Sequence, residues 1–363
     1  MVKILVCGDF RATDAAKIRV SGELKSIITA SDYAVCNFEA PVLGGGKSIE
    51  KSGPVLNQDR NSPELLKSLG FNVILLANNH IMDYGRKGCE ETINCFSDRI
   101  CVGAGTAEEA YKVCVVEKEG KKIGFLALVQ HEFGVVESLS DKKSYGTAWI
   151  NSPDVEDIIR EAKEHVDYLL VFPHCGIEHI DAPLPEWRER YKRLVLCGAD
   201  MIVASHPHCP QGWEVYQGKY IYYSLGNFYF DGLTHGDLWY KSLAIEIDID
   251  ETIRVRSHFL QFDTTGSIGI DRSRITRNHV ERICYLLENT VMYNEYIEDA
   301  CKKEFENVKY NIMRSIGGFT PHIRFAYALR LFVLMMLGKR KQKIMLNLFQ
   351  NESYRWLIER HLR

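Results

Sequence analysis

The chain has 363 residues, 46% hydrophobic and 26% charged, with a formal net charge of -3, which excludes a disordered protein, a collagen and a basic nucleic-acid-binding arm. Its length sets a prior of about two domains and lets roughly three quarters of the unfolded surface be buried without staples. The eleven cysteines are scattered with no C-x-x-C pair, a pattern that suits a reducing compartment rather than a disulfide framework.

The chain opens on a short apolar run that meets Gly8-Asp9, too short for a signal-peptide core, so a first buried strand and a cytoplasmic protein are expected. Runs rich in Val, Ile, Leu and Tyr predict strands at 3–7, 33–37, 73–77, 123–128, 168–172, 201–204, 220–224 and 243–249. Helices are predicted between them at 63–69, 85–97, 107–112, 153–165 and 186–197. Such alternation predicts a layered α/β fold. Residues 252–262 read as a final strand and 263–269 as a linker; from about 273 helical patterns take over, with breaks at 317–321 and 338. The expected organisation is a domain over 1–265 followed by a helical C-terminal extension over 273–363. In that extension the apolar stretch 325–337 is interrupted by Arg330 and is shorter than the roughly 18 residues needed to span a bilayer. With the basic residues 339–343 after it, it reads either as a membrane-surface helix or, the favoured reading, as a helix packed on the α/β domain with a solvated end.

The polar residues sit where the predicted strands stop. Asp9 follows the first, Asn37 and Glu39 end the second, Asn78-Asn79-His80 follows the third, and His174 and His206-Pro-His208 follow two later ones. If these strands lie parallel and side by side, the groups converge on one sheet edge, where α/β folds place their sites. Taken singly, each has an ordinary explanation as a helix cap, a turn residue or a surface histidine. Together, carboxylates, imidazoles and an amide oxygen suit one or two divalent ions such as Mn, Zn or Fe. Two ions about 3.5 to 4 Å apart would activate a water and stabilise attacking and leaving oxygens together, with one carboxylate bridging them.

Eight stretches, in order over roughly residues 3 to 231, carry a resemblance: Gly8-Asp9, Asn37-Phe-Glu-Ala-Pro41, Ala77-Asn-Asn-His-Ile-Met-Asp-Tyr-Gly85, Gly103-Ala-Gly105, His174-Cys-Gly-Ile-Glu178, Gly198-Ala-Asp200, Ser205-His-Pro-His208 and Tyr222-Tyr-Ser-Leu-Gly-Asn-Phe228. The chain resembles the bacterial capsule-synthesis, or poly-gamma-glutamate-synthesis, CapA-type proteins of the calcineurin-like metallophosphoesterase superfamily. The resemblance implies a four-layer α/β/β/α sandwich. It also implies that Asp9 and His208 serve a first metal, that Glu39 bridges, and that Asn79, His174 and His206 serve a second. His80 is similar to the histidine that stabilises or protonates the leaving group, with Asp83 placed to orient it.

Departures from the family pattern accompany the match. The usual Asp-x-His of the first motif is here Asp9-Phe-Arg11, which removes a ligand from the first metal and makes Arg11 a candidate to grip an anionic group of the substrate. Cys175 and His179 stand where the family usually has aromatics, which bears on substrate preference. Asn37, Asn78, Glu178, Ser224 and Asn227 are candidates for substrate contact. For Ser224 and Asn227 a purely structural role, a strand followed by a tight turn at Gly226, stands beside that one. The expected function is a metal-dependent hydrolase acting on an anionic polymer. The alternatives are a phosphodiesterase or phosphatase on a soluble phosphorylated metabolite, and a non-catalytic polymer-binding or assembly protein with a degraded metal site. No nucleic-acid partner is expected, membrane association is not favoured, and a homo-oligomer remains open.

Overall fold

Along the opening strand, Val2, Ile4 and Val6 point into one core while Leu5 and Cys7 point into another. A strand buried on both faces belongs to a sheet covered on both sides. It runs Val2–Arg11 in the computed structural model, which describes residues 1–233, 236–315 and 338–362.

This strand lies near the middle of a nine-stranded sheet. It pairs parallel with Tyr33–Phe38 and antiparallel with Lys241–Ile249, and Tyr33–Phe38 in turn pairs parallel with Val73–Leu75. A six-stranded sheet is built around the parallel strands Lys121–Val129, Tyr168–His174 and Met201–Val203. The two sheets face each other across a core that takes Ile4, Val35 and Val73 from one and Phe125, Leu170 and Met201 from the other. Leu24, Ile28, Leu66 and Cys89, from helices Gly22–Thr29, Ser62–Leu69 and Gly85–Cys95, cover the outer face of the first sheet. The outer face of the second is covered by Val155–His165 and Pro185–Cys197 together with the C-terminal helices Ile275–Glu288, Thr290–Ser315, Gly338–Gln350 and Glu352–Leu362, through Ile159, Trp187, Ile283, Ile297, Leu348 and Leu357. The layers are α/β/β/α, as the resemblance implies.

Several local expectations differ from the structure. The first strand continues to Arg11, so Asp9 and Arg11 lie within it; the unpredicted strand Asn227–Phe230 runs parallel beside it and supplies backbone partners beyond residue 7. The expected linker after 262 is a turn followed by the strand Ser267–Ile270, which folds back on Ile253–Phe262. Asp263 drives that turn, its Oδ1 accepting the Thr265 and Ser267 N–H groups at 2.8 and 3.1 Å. Helix Gly22–Thr29, with Ser21 accepting the Leu24 N–H at 3.3 Å, is absent from the predicted set. The described helix Gly338–Gln350 starts at the residue where a break is expected, and the residues before it, 316–337, lie outside the described residues. The apolar stretch 325–337 and the break at 317–321 lie outside the described residues. Among the described residues no helix is long and apolar enough to cross a membrane.

Candidate metal centre

The strand-end residues converge, but from two sheets rather than from one edge. Asp9 sits where the pairing of Val2–Arg11 with Tyr33–Phe38 shifts register between Cys7 and Asp9, an irregularity that re-aims a side chain. Gly8 makes this close approach feasible: a Cβ there would lie 1.8 Å from the Gly226 carbonyl oxygen, to which the Asp9 N–H donates at 3.0 Å. Glu39 immediately follows its strand, and the next residue, Ala40, has φ 99°. Asn78 shapes its own loop, accepting the His80 and Ile81 N–H groups at 3.2 and 2.9 Å and donating to the Phe38 carbonyl at 3.0 Å. His174 ends its strand in the second sheet. His206 and His208 have φ of 100° and 57°, so the chain turns sharply at both histidines on either side of Pro207. Such conformations cost about 1–3 kcal/mol each and persist where surrounding structure enforces them.

The donor atoms meet in a compact group. Asp9, Glu39 and His174 are all buried and offer ligand atoms within 4.8 Å of one another. His174 Nε2 lies 3.1 Å from Asn79 Oδ1 and 3.1 Å from His206 Nδ1. Glu39 Oε1 is 3.6 Å from His174 Nε2 and 3.6 Å from His208 Nε2, and Asp9 Oδ2 is 3.7 Å from His208 Nδ1. Ligands held about 2.1 Å from one ion stand about 3.0 to 3.5 Å from each other in tetrahedral or octahedral geometry.

Glu39 supplies the sharper test. It is completely buried, and neither carboxylate oxygen has a hydrogen-bond partner, an arrangement that is costly unless a cation completes it. Burial first of all pushes its carboxyl well above the ordinary range, and burial likewise holds His174 below, and His206 well below, the usual imidazole value. Neutral imidazoles are the form that binds metal. Among the described residues, Asp9, Glu39 and His174 form a group that could hold a divalent ion, and Asn79, His206 and His208 stand beside it.

Around this group lie the other expected residues. His80 Nδ1 is 2.7 Å from Asp83 Oδ2, and Asp83 also pairs with Lys51 and accepts the Leu56 N–H at 2.7 Å. Burial, then the Lys51 charge, brings His80 down to about 4. Asn37 donates to Asp9 Oδ1 at 2.7 Å, and its Oδ1 accepts from Asn78 at 3.1 Å, so both amides brace the cluster from behind. Asn227 Oδ1 lies 2.8 Å from His208 Nδ1, a contact that turns Nε2 toward Glu39. Ser224 is wholly buried and its hydroxyl accepts the Gly226 N–H at 3.1 Å, closing the turn. Glu178 lines a cavity of about 100 Å³ with Asn79, His80 and His206. Arg11 is already engaged: Nε donates to the Asn57 carbonyl at 3.1 Å and Nη1 to the Asp231 carbonyl at 2.5 Å, with Asp231 Oδ1 3.5 Å away.

The sequence reading did not single out Lys51, Gln130, Glu132 or Ser205. Gln130 Nε2 lies 3.0 Å from His206 Nε2, Glu132 Oε2 accepts from Asn79 at 3.4 Å, and Ser205 Oγ is 3.0 Å from His174 Nδ1. Gln130 and Glu132 were legible by the same strand-end logic, since Lys121–Val129 stops immediately before them. Lys51 sits in a loop with no pattern to mark it.

A family described as "Bacterial capsule synthesis protein PGA_cap" matches residues 4–232. The chain is 35% identical over 229 residues to the capsule biosynthesis protein CapA of Bacillus anthracis, covering 60% of this chain and 54% of that one. It is 32% identical over 214 residues to the PGA biosynthesis protein CapA of Bacillus subtilis, covering 57% and 56%. The matched region thus spans about half the length of these curated relatives. Among solved structures, a calcineurin-like phosphoesterase from Bacillus subtilis aligns over 82% of this chain and 98% of its own, at 14% identity and a TM-score of 0.39.

Proposed function

The chain belongs to the family of bacterial capsule synthesis proteins, and from that premise we propose that it is a metal-dependent hydrolase acting during production of an anionic capsule-type polymer. The observation that carries the proposal is Glu39, a buried carboxylate with both oxygens unpartnered between His174 and His208. Asp9, Glu39, Asn79, His174, His206 and His208 would hold the metal. Bound divalent ions would supply Lewis acidity and a water acidified for attack.

The chain's own groups account for the rest of the chemistry. Asp83 and Lys51 pin His80 through Nδ1, leaving Nε2 as the nitrogen that can hydrogen-bond or protonate a leaving oxygen. Asn37 and Asn227 hold Asp9 and His208 in register, the outer-layer support that ligands of this kind require. The polar cavity beside His80 and His206 gives a reacting group a place within reach of both.

A second reading, a non-catalytic polymer-binding protein, draws on Arg11: it stands where a first-metal histidine is usual, and its guanidinium is spent on Asn57 and Asp231. Elemental analysis of protein purified without chelator, with a screen of phosphoesters and gamma-glutamyl peptides, separates the readings. The hydrolase reading expects at least one divalent ion per chain and turnover abolished by chelator. Metal content no higher than that of a Glu39→Gln/His174→Ala double variant would overturn it.

A further inference from the structure

The C-terminal helices reach the site, although they lie beyond the region that the family match covers. Asn347, Asn351 and Tyr354 line the same cavity as Asn79, His80 and His206. We propose, resting on the hydrolase reading, that residues 347–354 form the specificity wall of this site and restrict it to a small terminal group, such as a phosphomonoester at a chain end, excluding an internal linkage with a substituent on either side.

The wall is fastened. Asn351, Glu352 and Ser353 are each only 1% exposed. Glu352 accepts from the His131 N–H at 2.7 Å, Trp149 Nε1 at 2.6 Å and Asn151 Nδ2 at 3.0 Å. Ser353 accepts from Trp187 Nε1 at 2.9 Å and donates to Gln130 Oε1 at 2.7 Å. Asn351 donates to Glu132 Oε1 at 2.9 Å. Two of these contacts continue inward, from Gln130 to His206 and from Glu132 to Asn79. A helix start held by so many buried polar contacts resists displacement, because each broken contact leaves a desolvated group unpaired.

Volume then decides what enters. The cavity holds about 100 Å³, against about 300–1,000 Å³ for pockets that enclose drug-sized ligands. A space this small favours a compact group such as a phosphoryl over a bulkier one.

The test is calorimetric titration of the manganese-supplemented full-length protein with phenyl phosphate and with diphenyl phosphate, paired with hydrolysis assays on both. Wild type should bind phenyl phosphate at least about 10-fold more tightly. Tyr354→Ala should narrow that gap to about threefold or less; if this variant does not fold, Asn347→Ala takes its place, with melting temperature and metal content confirming an intact protein. Equal affinities in wild type, no binding of either ester, or an unchanged gap in a folded variant each overturn the wall. Discrimination in binding without hydrolysis keeps the wall and ends the hydrolase reading, whereas equal hydrolysis of both esters does the reverse.

Discussion

Glu39 concentrates the physics of the site in one side chain. Without a cation its buried charge is unsupported, so Glu39→Gln should melt at or above wild type in chelator while losing the rise that manganese confers. That rise is about 2.7 kcal/mol at a hundredfold excess over Kd, and thermal melts with and without metal measure it. His80 makes a contrasting prediction, because its Nδ1 contacts are Asp83 and Lys51. His80→Ala should lose roughly 10²-fold in kcat with metal content unchanged; loss of metal instead would make His80 a ligand. Asn227→Ala should weaken metal binding by about 10-fold, the usual scale for a residue that orients a ligating histidine, as measured by competition with a metal indicator.

At the scale of elements, the helices on the second sheet are tied together by charge. Glu156, on Val155–His165, bonds Arg190 and Arg193 of Pro185–Cys197 at 3.0 and 2.9 Å. The Arg193 hydrogen bond, first among several causes, holds its carboxyl down to about 2, below its ordinary 4.5. A depressed folded pKa means stability that is present above the unfolded value and lost as pH falls through the folded one. The difference in urea midpoint between wild type and Glu156→Gln should therefore be full above about pH 5 and shrink toward zero near pH 2. A difference that does not vary with pH would assign the effect to packing.

For the whole molecule, the C-terminal helices bury Ile283, Tyr293, Ile297, Leu348 and Leu357 against the second sheet. A 1–272 fragment should accordingly expose a large apolar face, bind a hydrophobic dye and elute as aggregate on gel filtration. A soluble, metal-binding fragment would instead make residues from 273 onward an independent module.

Read alone, the sequence already determines the layered fold and most of the cluster, because both depend on local pattern. Apolar runs of strand length alternate with helical stretches, and Asp9, Glu39, Asn79, His174, His206 and His208 all lie at or close to the ends of those runs. Wherever parallel strands pair in register, such residues are carried to a common end. Tertiary structure alone decides how the strands divide between two sheets, a question of long-range pairing on which hydrophobic alternation is silent. It likewise decides that Arg11 is taken by Asp231, 220 positions away in sequence. The Asn351 and Ser353 contacts belong to the same class, spanning 219 and 223 positions to reach Glu132 and Gln130. No periodicity encodes a side-chain hydrogen bond over that separation; it exists only once packing has brought the last helix onto the second sheet.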